Sequence, residues 1–187
     1  DADEADVELL QRSSENLDDL FLVVIVGEFN SGKSSFINAL LGDRYLKEGI
    51  TPTTANLHLI RYGGNLKESY DQKTNVVNLE LPLKWLQGIS VVDTPGTNAI
   101  IKSHQQITEH FVPRSDLIIF LTSAERPFSE SEHTFMESIR KWGKKVVVCI
   151  NKFDLLRNEE ERKIVDSFVR QGITKLLGFD PTIFGVS

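Results

Sequence analysis

The sequence predicts an α/β domain with a mostly parallel central sheet, one antiparallel hairpin and helices on both faces. Four short runs rich in β-branched residues, at 21–26, 89–93, 116–122 and 144–150, are typical of strands buried on both faces. Stretches with helical spacing of apolar residues separate these runs, which favours parallel pairing. With 187 residues, the chain is long enough for one such domain and too short for two ordinary ones.

Two of the intervening segments carry clear helix signals. Ser129 and Glu132 have the spacing of a capping box, so we expect a helix to begin there and to end at Gly143. A further helix is expected after Asn158. The apolar residues on one face of each helix should lie in the core. These residues are Phe135, Met136, Ile139 and Trp142 in the first helix, and Ile164, Val165, Phe168, Val169, Ile173 and Leu176 in the second.

The predicted hairpin lies in the first half of the chain. Residues 56–62 and 75–81 form two strand-like runs, and the polar, Gly-containing stretch 63–74 separates them. We therefore expect these two runs to pair antiparallel. A last short strand is expected around residues 182–186.

The domain is expected to occupy residues 21–187. Residues 1–20 are acidic, with apolar residues at partly helical spacing, and predict a helix that leads into the domain. Domains of this class normally continue into a closing helix after the last strand. We therefore expect the domain to be cut off before that helix.

Composition excludes several classes of function. The chain is 40% hydrophobic and 26% charged, as in soluble globular proteins, and its net charge of −6 makes nucleic acid a poor candidate partner. The single cysteine, Cys149, lies in an apolar run and cannot form a disulfide framework or a thiolate metal site alone. No run approaches about 18 apolar residues and no signal peptide is evident, so we expect any membrane contact to come from elsewhere.

The strongest chemical signal is the segment GEFNSGKSS at residues 27–35, which fits the phosphate-loop pattern G-x-x-x-x-G-K-[ST]. A buried strand precedes it and a helix follows, so loop amides and the helix N-terminus converge on one anion site. Lys33 would neutralise the β- and γ-phosphates, and the Ser34 hydroxyl would ligate Mg²⁺. The alternative is an ordinary Gly-rich turn with a solvated lysine. The predicted nucleotide contacts here are Glu28, Phe29, Asn30, Ser31, Gly32, Lys33, Ser34 and Ser35.

Two further segments would complete the phosphate end of such a site. In DTPG, Asp93 can hold Mg²⁺ through water and the Gly96 amide can donate to the γ-phosphate, although this sequence is also an ordinary turn. In TPTT, the Thr53 and Thr54 hydroxyls can both complete Mg²⁺ coordination, and we favour Thr54. Surface threonines in a Pro-containing turn are the alternative there.

The segment NKFD at residues 151–154 indicates which base is bound. The Asp154 carboxylate can accept both N1–H and N2–H of guanine, whereas adenine offers no such donor pair, so we expect GTP over ATP. Asn151 would tie the base-binding loops together, and the aliphatic stem of Lys152 would lie along the base. Ser187, in FGVS, could supply the last base-contacting loop.

In this sequence, the water that would attack the γ-phosphate lacks the side chain that usually orients it. Small signalling GTPases orient it with a glutamine just beyond the DxxG glycine, whereas Thr97 and Asn98 follow Gly96 here. Asn30 corresponds to the asparagine that ligates K⁺ in cation-dependent GTPases. We hypothesise that Asn30 helps to hold K⁺ when two domains face each other. The predicted catalytic set is Lys33, Ser34, Thr54, Asn30 and Gly96, with Ser34, Thr54 and Asp93 at the Mg²⁺.

In their residues and in their order along the chain, the motifs resemble those of the dynamin superfamily, and within it those of the mitofusin/FZO-like branch of chloroplast FZO-like and bacterial dynamin-like proteins. The matching segments are GEFNSGKSSFINALLG, PTT, LKWLQGISVVDTPGTN, FVPRSDLIIFLTSAERPFSESE and NKFD. The resemblance implies a Ras-like P-loop GTPase fold, GTP hydrolysis to GDP and phosphate, and a homodimer formed through the GTPase domain. It also implies that the helix expected at 1–20 is part of a helical bundle, and that the protein acts in membrane fusion or remodelling through regions that are not in this chain.

The same resemblance implies a protein at a chloroplast membrane, either the thylakoid or the inner envelope, or at the cytoplasmic side of a bacterial or cyanobacterial inner membrane. Two rival functions remain open. One is an Era-type GTPase in ribosome assembly or tRNA modification, which shares N-x-G-K-S. The other is a scaffold that binds GTP without hydrolysing it.

Overall fold

The computed structural model describes residues 21–28, 30–47, 56–95 and 107–187, with only the backbone for Thr108. The predicted helix at 1–20 lies outside these ranges. The strands are β1 (Phe21–Gly27), β2 (Leu57–Tyr62), β3 (Lys67–Asp71), β4 (Val76–Leu81), β5 (Ile89–Asp93), β6 (Leu117–Ser123), β7 (Lys145–Asn151) and β8 (Thr182–Gly185). The longer helices are α1 (Lys33–Leu41), α2 (Glu130–Arg140) and α3 (Glu159–Leu177).

The strands form one sheet in the order β3-β4-β2-β5-β1-β6-β7-β8. Strand β1 pairs parallel with β5 and β6, and β6, β7 and β8 continue in parallel. The carboxyl ends of these strands therefore meet at one edge, which is where ligands bind in open α/β sheets. The mostly parallel sheet is confirmed.

The antiparallel hairpin is present, but its strands differ from those predicted. Strands β3 and β4 pair antiparallel through a turn. The runs at 56–62 and 75–81 are neighbours as β2 and β4, but they pair parallel, so the predicted antiparallel direction was wrong. The cause is β3, which lies inside the stretch interpreted as a connector. Four of its five residues are exposed, so it has no apolar alternation to mark it as a strand.

Two apolar clusters lie on opposite faces of the sheet, because successive side chains of a strand point to opposite sides. Val24 and Val26 of β1 pack in the cluster that α2 and α3 cover. Val23 and Ile25 pack in the cluster that α1 covers. Helices on both faces are thus confirmed, and burying each such aliphatic side chain contributes roughly 1.5–3 kcal/mol.

Both predicted helices form, but their buried faces are narrower than expected. The capping box of α2 is confirmed, yet the helix ends at Arg140, so Trp142 lies beyond it, is 38% exposed and contacts the Lys141 ammonium. On α3, Val169, Ile173 and Leu176 are buried. In contrast, Ile164 and Phe168 are 63% and 55% exposed, because they lie on a side of the helix that does not pack against the sheet. The assignment of Trp142, Ile164 and Phe168 to the core was wrong.

Cys149 lies buried in β7, and burial raises the pKa of its thiol to about 11. The thiol is therefore protonated at neutral pH, which suits a core position rather than a nucleophile. Within the four ranges given above, none of the helices has both the length and the apolar character that a membrane span requires.

Candidate functional site

The phosphate-loop segment lies at the carboxyl edge of the sheet, between the end of β1 and the start of α1. Gly32 turns the chain into the helix with a φ of +88°, and Lys33 is the first helical residue. No side chain caps this helix start. The amides of a helix's first turn lack partners within the helix, so at this sheet edge they can bind an anion.

Lys33 is held over the loop by main-chain carbonyls. Its Nζ donates to the carbonyl oxygens of Gly27 at 3.0 Å and Glu28 at 2.9 Å, and the residue is only 7% exposed. Burial lowers the pKa of Lys33, while the negative charges of Asp93, Glu132 and Glu28 oppose that change. A buried ammonium at a helix N-terminus suits the binding of a polyanion.

Asp93 ends β5 beside this lysine and is 1% exposed. Neither of its carboxylate oxygens has a hydrogen-bond partner of ordinary geometry among the described residues. Burial raises the pKa of Asp93 to about 7, although Lys33 and the nearby Ser34 hydroxyl both favour the ionised form. An orphaned buried carboxylate next to a hydroxyl fits the oxygen ligands and bound waters that Mg²⁺ prefers.

Asn151, at the end of β7, joins the NKFD segment to the phosphate loop. Its Nδ2 donates to the carbonyl oxygen of Ser31 at 2.8 Å, across 120 residues of sequence. Ser123 and Asn151 are the last paired residues of β6 and β7, and this register places the Asn151 contact at the carboxyl edge of the sheet. The structure thus brings together two motifs that the sequence places far apart.

The FGVS segment lies against NKFD, as a shared base-binding surface requires. The amide of Phe153 donates to the carbonyl oxygen of Val186 at 2.9 Å, and the amide of Val186 donates to Ile150 at 2.9 Å. Asp154 and Ser187 are both exposed, one on each of these adjacent segments. The Lys152 ammonium pairs with the Glu125 carboxylate.

A cavity of about 310 Å³ lies between the phosphate loop and Lys152. Asn30 and Ser31 line one side of it, and Glu125 lines the other. Asn30 is exposed and has a φ of +64°. Its side chain is therefore accessible at the mouth of the site.

Glu132 is a buried site residue that sequence reasoning placed only in a helix cap. Its carboxylate accepts the Thr122 hydroxyl at 2.9 Å, and it also faces the phosphate loop, accepting the Glu28 amide at 3.4 Å. The capping-box spacing was visible in the sequence, but nothing in the sequence signals the contact across 104 positions.

Some predicted site residues lie outside the described ranges. Phe29, Thr53, Thr54 and Gly96 are in this group, together with Thr97 and Asn98. Ser35 is described and lies exposed in the first turn of α1. The described part of the chain holds no cluster of three or more His, Cys, Asp or Glu side chains suited to a metal ion.

Comparison with known proteins gives one family match. The model described as "50S ribosome-binding GTPase" matches residues 22–152, which is most of the chain. This match contains the phosphate loop, DTPG and the start of NKFD. It is consistent with the site that the geometry assembles at the carboxyl edge.

Several of the individual relatives are FZO-like or dynamin-like proteins. The chain is 45% identical over 184 residues to a probable transmembrane GTPase, FZO-like and chloroplastic, of Arabidopsis thaliana, covering 95% of this chain and 20% of that protein. It is 26% identical to the bacterial dynamin-like protein of Nostoc punctiforme, covering 82% of this chain and 28% of that protein. The chain therefore spans less than a third of the length of these relatives.

A solved structure of an oligomerised bacterial dynamin pair shares the fold, with a TM-score of 0.74 and 20% identity. The match covers 98% of this chain and 36% of that one, and it confirms the predicted Ras-like P-loop fold. The family model and the dynamin-like relatives confirm the resemblance seen in the motifs. The chain belongs to the 50S ribosome-binding GTPase family, and within it to the dynamin-like, FZO-related GTPases.

Proposed function

We propose that this domain binds GTP with Mg²⁺ and hydrolyses it to GDP and phosphate, with water as the nucleophile. The observation that carries this proposal is the pairing of Lys33 with Asp93. The buried Lys33 ammonium, at the start of α1, lies beside the buried Asp93 carboxylate at the end of β5, which has no hydrogen-bond partner of ordinary geometry among the described residues. Phosphoryl transfer needs positioned charge more than covalent participation by the protein, and this arrangement supplies it.

The phosphates would lie on the loop between β1 and α1. Lys33 would neutralise the β- and γ-phosphates, exchanging its carbonyl partners Gly27 and Glu28 for phosphate oxygens. The amides that follow Glu28, between Phe29 and Ser35, would donate to the same oxygens. A helix start without a side-chain cap supports this role.

Mg²⁺ would be held by the Ser34 hydroxyl, by Thr54 and, through water, by Asp93. The ion would neutralise negative charge on the β- and γ-phosphates. Asp93 must ionise to take part, and Lys33 favours that ionised form. The Gly96 amide would donate to the γ-phosphate and so distinguish GTP from GDP.

The base would be recognised at the NKFD segment. Asp154 would accept both guanine donors, Asn151 would keep the segment on the phosphate loop, and the stem of Lys152 would flank the base. The contact of Phe153 with Val186 supports a place for Ser187 at this surface. The resulting site would prefer guanine to adenine nucleotides.

Asn30 would hold K⁺ near the phosphates when two domains pair across their nucleotides, in place of a water-orienting glutamine. Its exposed position at the mouth of the cavity supports this role. Hydrolysis by wild-type protein should then be faster in KCl than in LiCl at the same ionic strength. Equal rates in the two salts would exclude the K⁺ hypothesis while leaving the GTPase proposal intact.

The wider function we propose is that of a homodimerising GTPase whose domain pairing is coupled to membrane fusion or remodelling. Membrane contact would come through regions outside this chain, at a chloroplast membrane or a bacterial inner membrane. The FZO-like and bacterial dynamin relatives support this proposal. Light scattering should show a doubled mass with GDP and an aluminium fluoride transition-state mimic, whereas an unchanged mass would contradict domain pairing.

Phosphate release tests the catalytic proposal directly. With Mg²⁺, the protein should release phosphate from GTP and much more slowly from ATP, and Lys33→Ala should abolish release. Equal rates with GTP and ATP, or near-normal turnover by Lys33→Ala, would contradict the assignment. A single-turnover assay of Thr54→Ala separates a hydrolase from a scaffold, because only a hydrolase has a chemical step for the variant to slow.

A further inference from the structure

The buried carboxylate of Glu132 contacts three elements of the fold. The residue is 1% exposed. One oxygen, Oε2, accepts the Thr122 hydroxyl at 2.9 Å and the Ser129 amide at 3.0 Å. The other oxygen, Oε1, accepts the amide of Glu28 at 3.4 Å. One side chain thus joins the end of β6, the start of α2 and the first residue of the phosphate loop after Gly27.

A helix cap does not account for this arrangement. In a capping box only one side-chain oxygen is needed, and glutamine serves at that position as well as glutamate. Burial raises the pKa of Glu132, so a carboxylate is the costlier choice there. The second oxygen, which the cap does not need, is the one that faces the Glu28 amide.

Glu28 is also held by its side chain. The hydroxyl of Ser131, in the first turn of α2, donates to the Glu28 carboxylate at 2.8 Å. Both the amide and the carboxylate of Glu28 are therefore bound to the start of the same helix. The Glu28 carbonyl in turn accepts from Lys33 at 2.9 Å, which extends the chain of contacts to the phosphate-binding lysine.

We infer that Glu132 is a positioning residue for the phosphate loop. Through Oε1 it holds the Glu28 amide, and so keeps the start of the loop in the conformation that presents the following amides and Lys33 to the phosphates. This inference rests on the proposed function, because it assigns a role in the same nucleotide site. Glu132 itself does not touch the nucleotide.

The variant Glu132→Gln separates the cap from the loop contact. Its amide oxygen can still accept from Thr122 and Ser129, but its NH₂ group would then face the Glu28 amide, and two donors would meet. We expect the Kd for GDP and the KM for GTP to rise about tenfold. The kcat should change less, because the loop holds the phosphates in the ground state and the transition state alike.

Ser129→Ala is the matched control: it removes the cap hydroxyl and that hydroxyl's contact with Ser131, but it leaves in place the Glu132 contact with the Glu28 amide and the Ser131 hydrogen bond to the Glu28 carboxylate. It should lower Tm and leave the KM for GTP unchanged. If Glu132→Gln binds GDP like wild type, or loses only stability as Ser129→Ala does, the inference is wrong. If wild-type protein itself fails to bind GDP, the proposed function fails first.

Ser131→Ala covers the case in which Glu132→Gln does not fold. It removes the hydrogen bond to the Glu28 carboxylate and leaves the Glu132 contacts in place. We expect the Kd for GDP to rise about threefold, since one neutral donor to an ionised acceptor is lost. Unchanged affinity in that folded variant would show that fixing Glu28 does not position the phosphate loop, and it would overturn the inference.

Discussion

Gly32 and Asn151 approach so closely that a Cβ added to Gly32 would lie 2.1 Å from the Asn151 Nδ2. That nitrogen is already committed, since it donates to the Ser31 carbonyl. The phosphate loop and the base-binding segment are therefore packed into one unit with no space for a methyl group. The positive φ of Gly32 adds a second reason for glycine at this position.

Gly32→Ala should weaken GDP binding by roughly ten- to a hundredfold, because the methyl group displaces Asn151 and breaks its hydrogen bond. Gly178→Ala is the control, since Gly178 also has a positive φ, of +81°, but nothing lies within 4 Å of its Cβ position. The control should lose about 1 kcal/mol of stability and keep its affinity. Calorimetry with GDP and urea unfolding measure the two effects, and equal affinities in both variants would contradict the close-packing argument.

Gly185→Ala should disturb the base-binding surface. A Cβ there would lie 2.5 Å from the Phe153 ring, next to Asp154, so the ring must move. We expect a loss of about 1–3 kcal/mol in unfolding free energy and about tenfold weaker GDP binding. Gly64→Ala adds a methyl group in open space and should change stability by less than about 0.5 kcal/mol. If Gly185→Ala binds GDP with wild-type affinity, the FGVS segment is not part of the base-binding surface.

Asp154→Asn should shift the base preference from guanine to xanthine. The amide can donate where the carboxylate accepts, and xanthine offers an acceptor where guanine offers the N2 donor. The matched control is Asp180→Asn, which alters an exposed pair with Arg170 and should leave guanine selectivity unchanged. Competition between GDP and XDP measures the preference. Unchanged GDP selectivity in Asp154→Asn would show that another group recognises the base.

Nucleotide-free protein should lose stability as pH rises through the range between the two pKa values of Asp93. The folded pKa is about 7 and the ordinary value is 3.8, so between them the unfolded state has released a proton that the folded state keeps. The unfolded state then binds fewer protons, and the free energy of unfolding falls with pH by up to about 4 kcal/mol.

Asp93→Asn removes the titrating carboxyl group, so the free energy of unfolding of the variant should rise relative to that of wild type between pH 5 and pH 8. Urea unfolding without Mg²⁺ measures the difference, and using the difference cancels groups that titrate in both proteins. Parallel curves for the two proteins would show that Asp93 is ionised in the folded state at all of these pH values.

Local chemistry made much of this protein predictable. The strand ending at Asp93 coincides with its apolar run, and the cap at Ser129 follows from the spacing to Glu132. The motif residues Lys33 and Asn151 lie at the carboxyl edge because each follows or ends a parallel strand. Strand ends and caps depend on neighbours in sequence, so the sequence carries the information.

Contacts between distant segments were less accessible. Strand β3 is polar and exposed, so its place at the sheet edge and the parallel pairing of β2 with β4 left no periodic signal. The apolar spacing of Ile164 and Phe168 shows which face they share, but not how far that face is covered. The contact of Glu132 with Glu28 depends on tertiary structure alone.

The central claim is that one pocket holds a nucleotide with its phosphates at Lys33 and guanine at Asp154. Titration calorimetry of the folded protein with GDP and with ADP, both with Mg²⁺, tests it most directly. We expect GDP to bind at least about a hundredfold more tightly than ADP, because a site built to pair a base's polar groups rejects one that leaves them unpaired. Equal affinities for the two nucleotides, or no binding of either, would contradict the account.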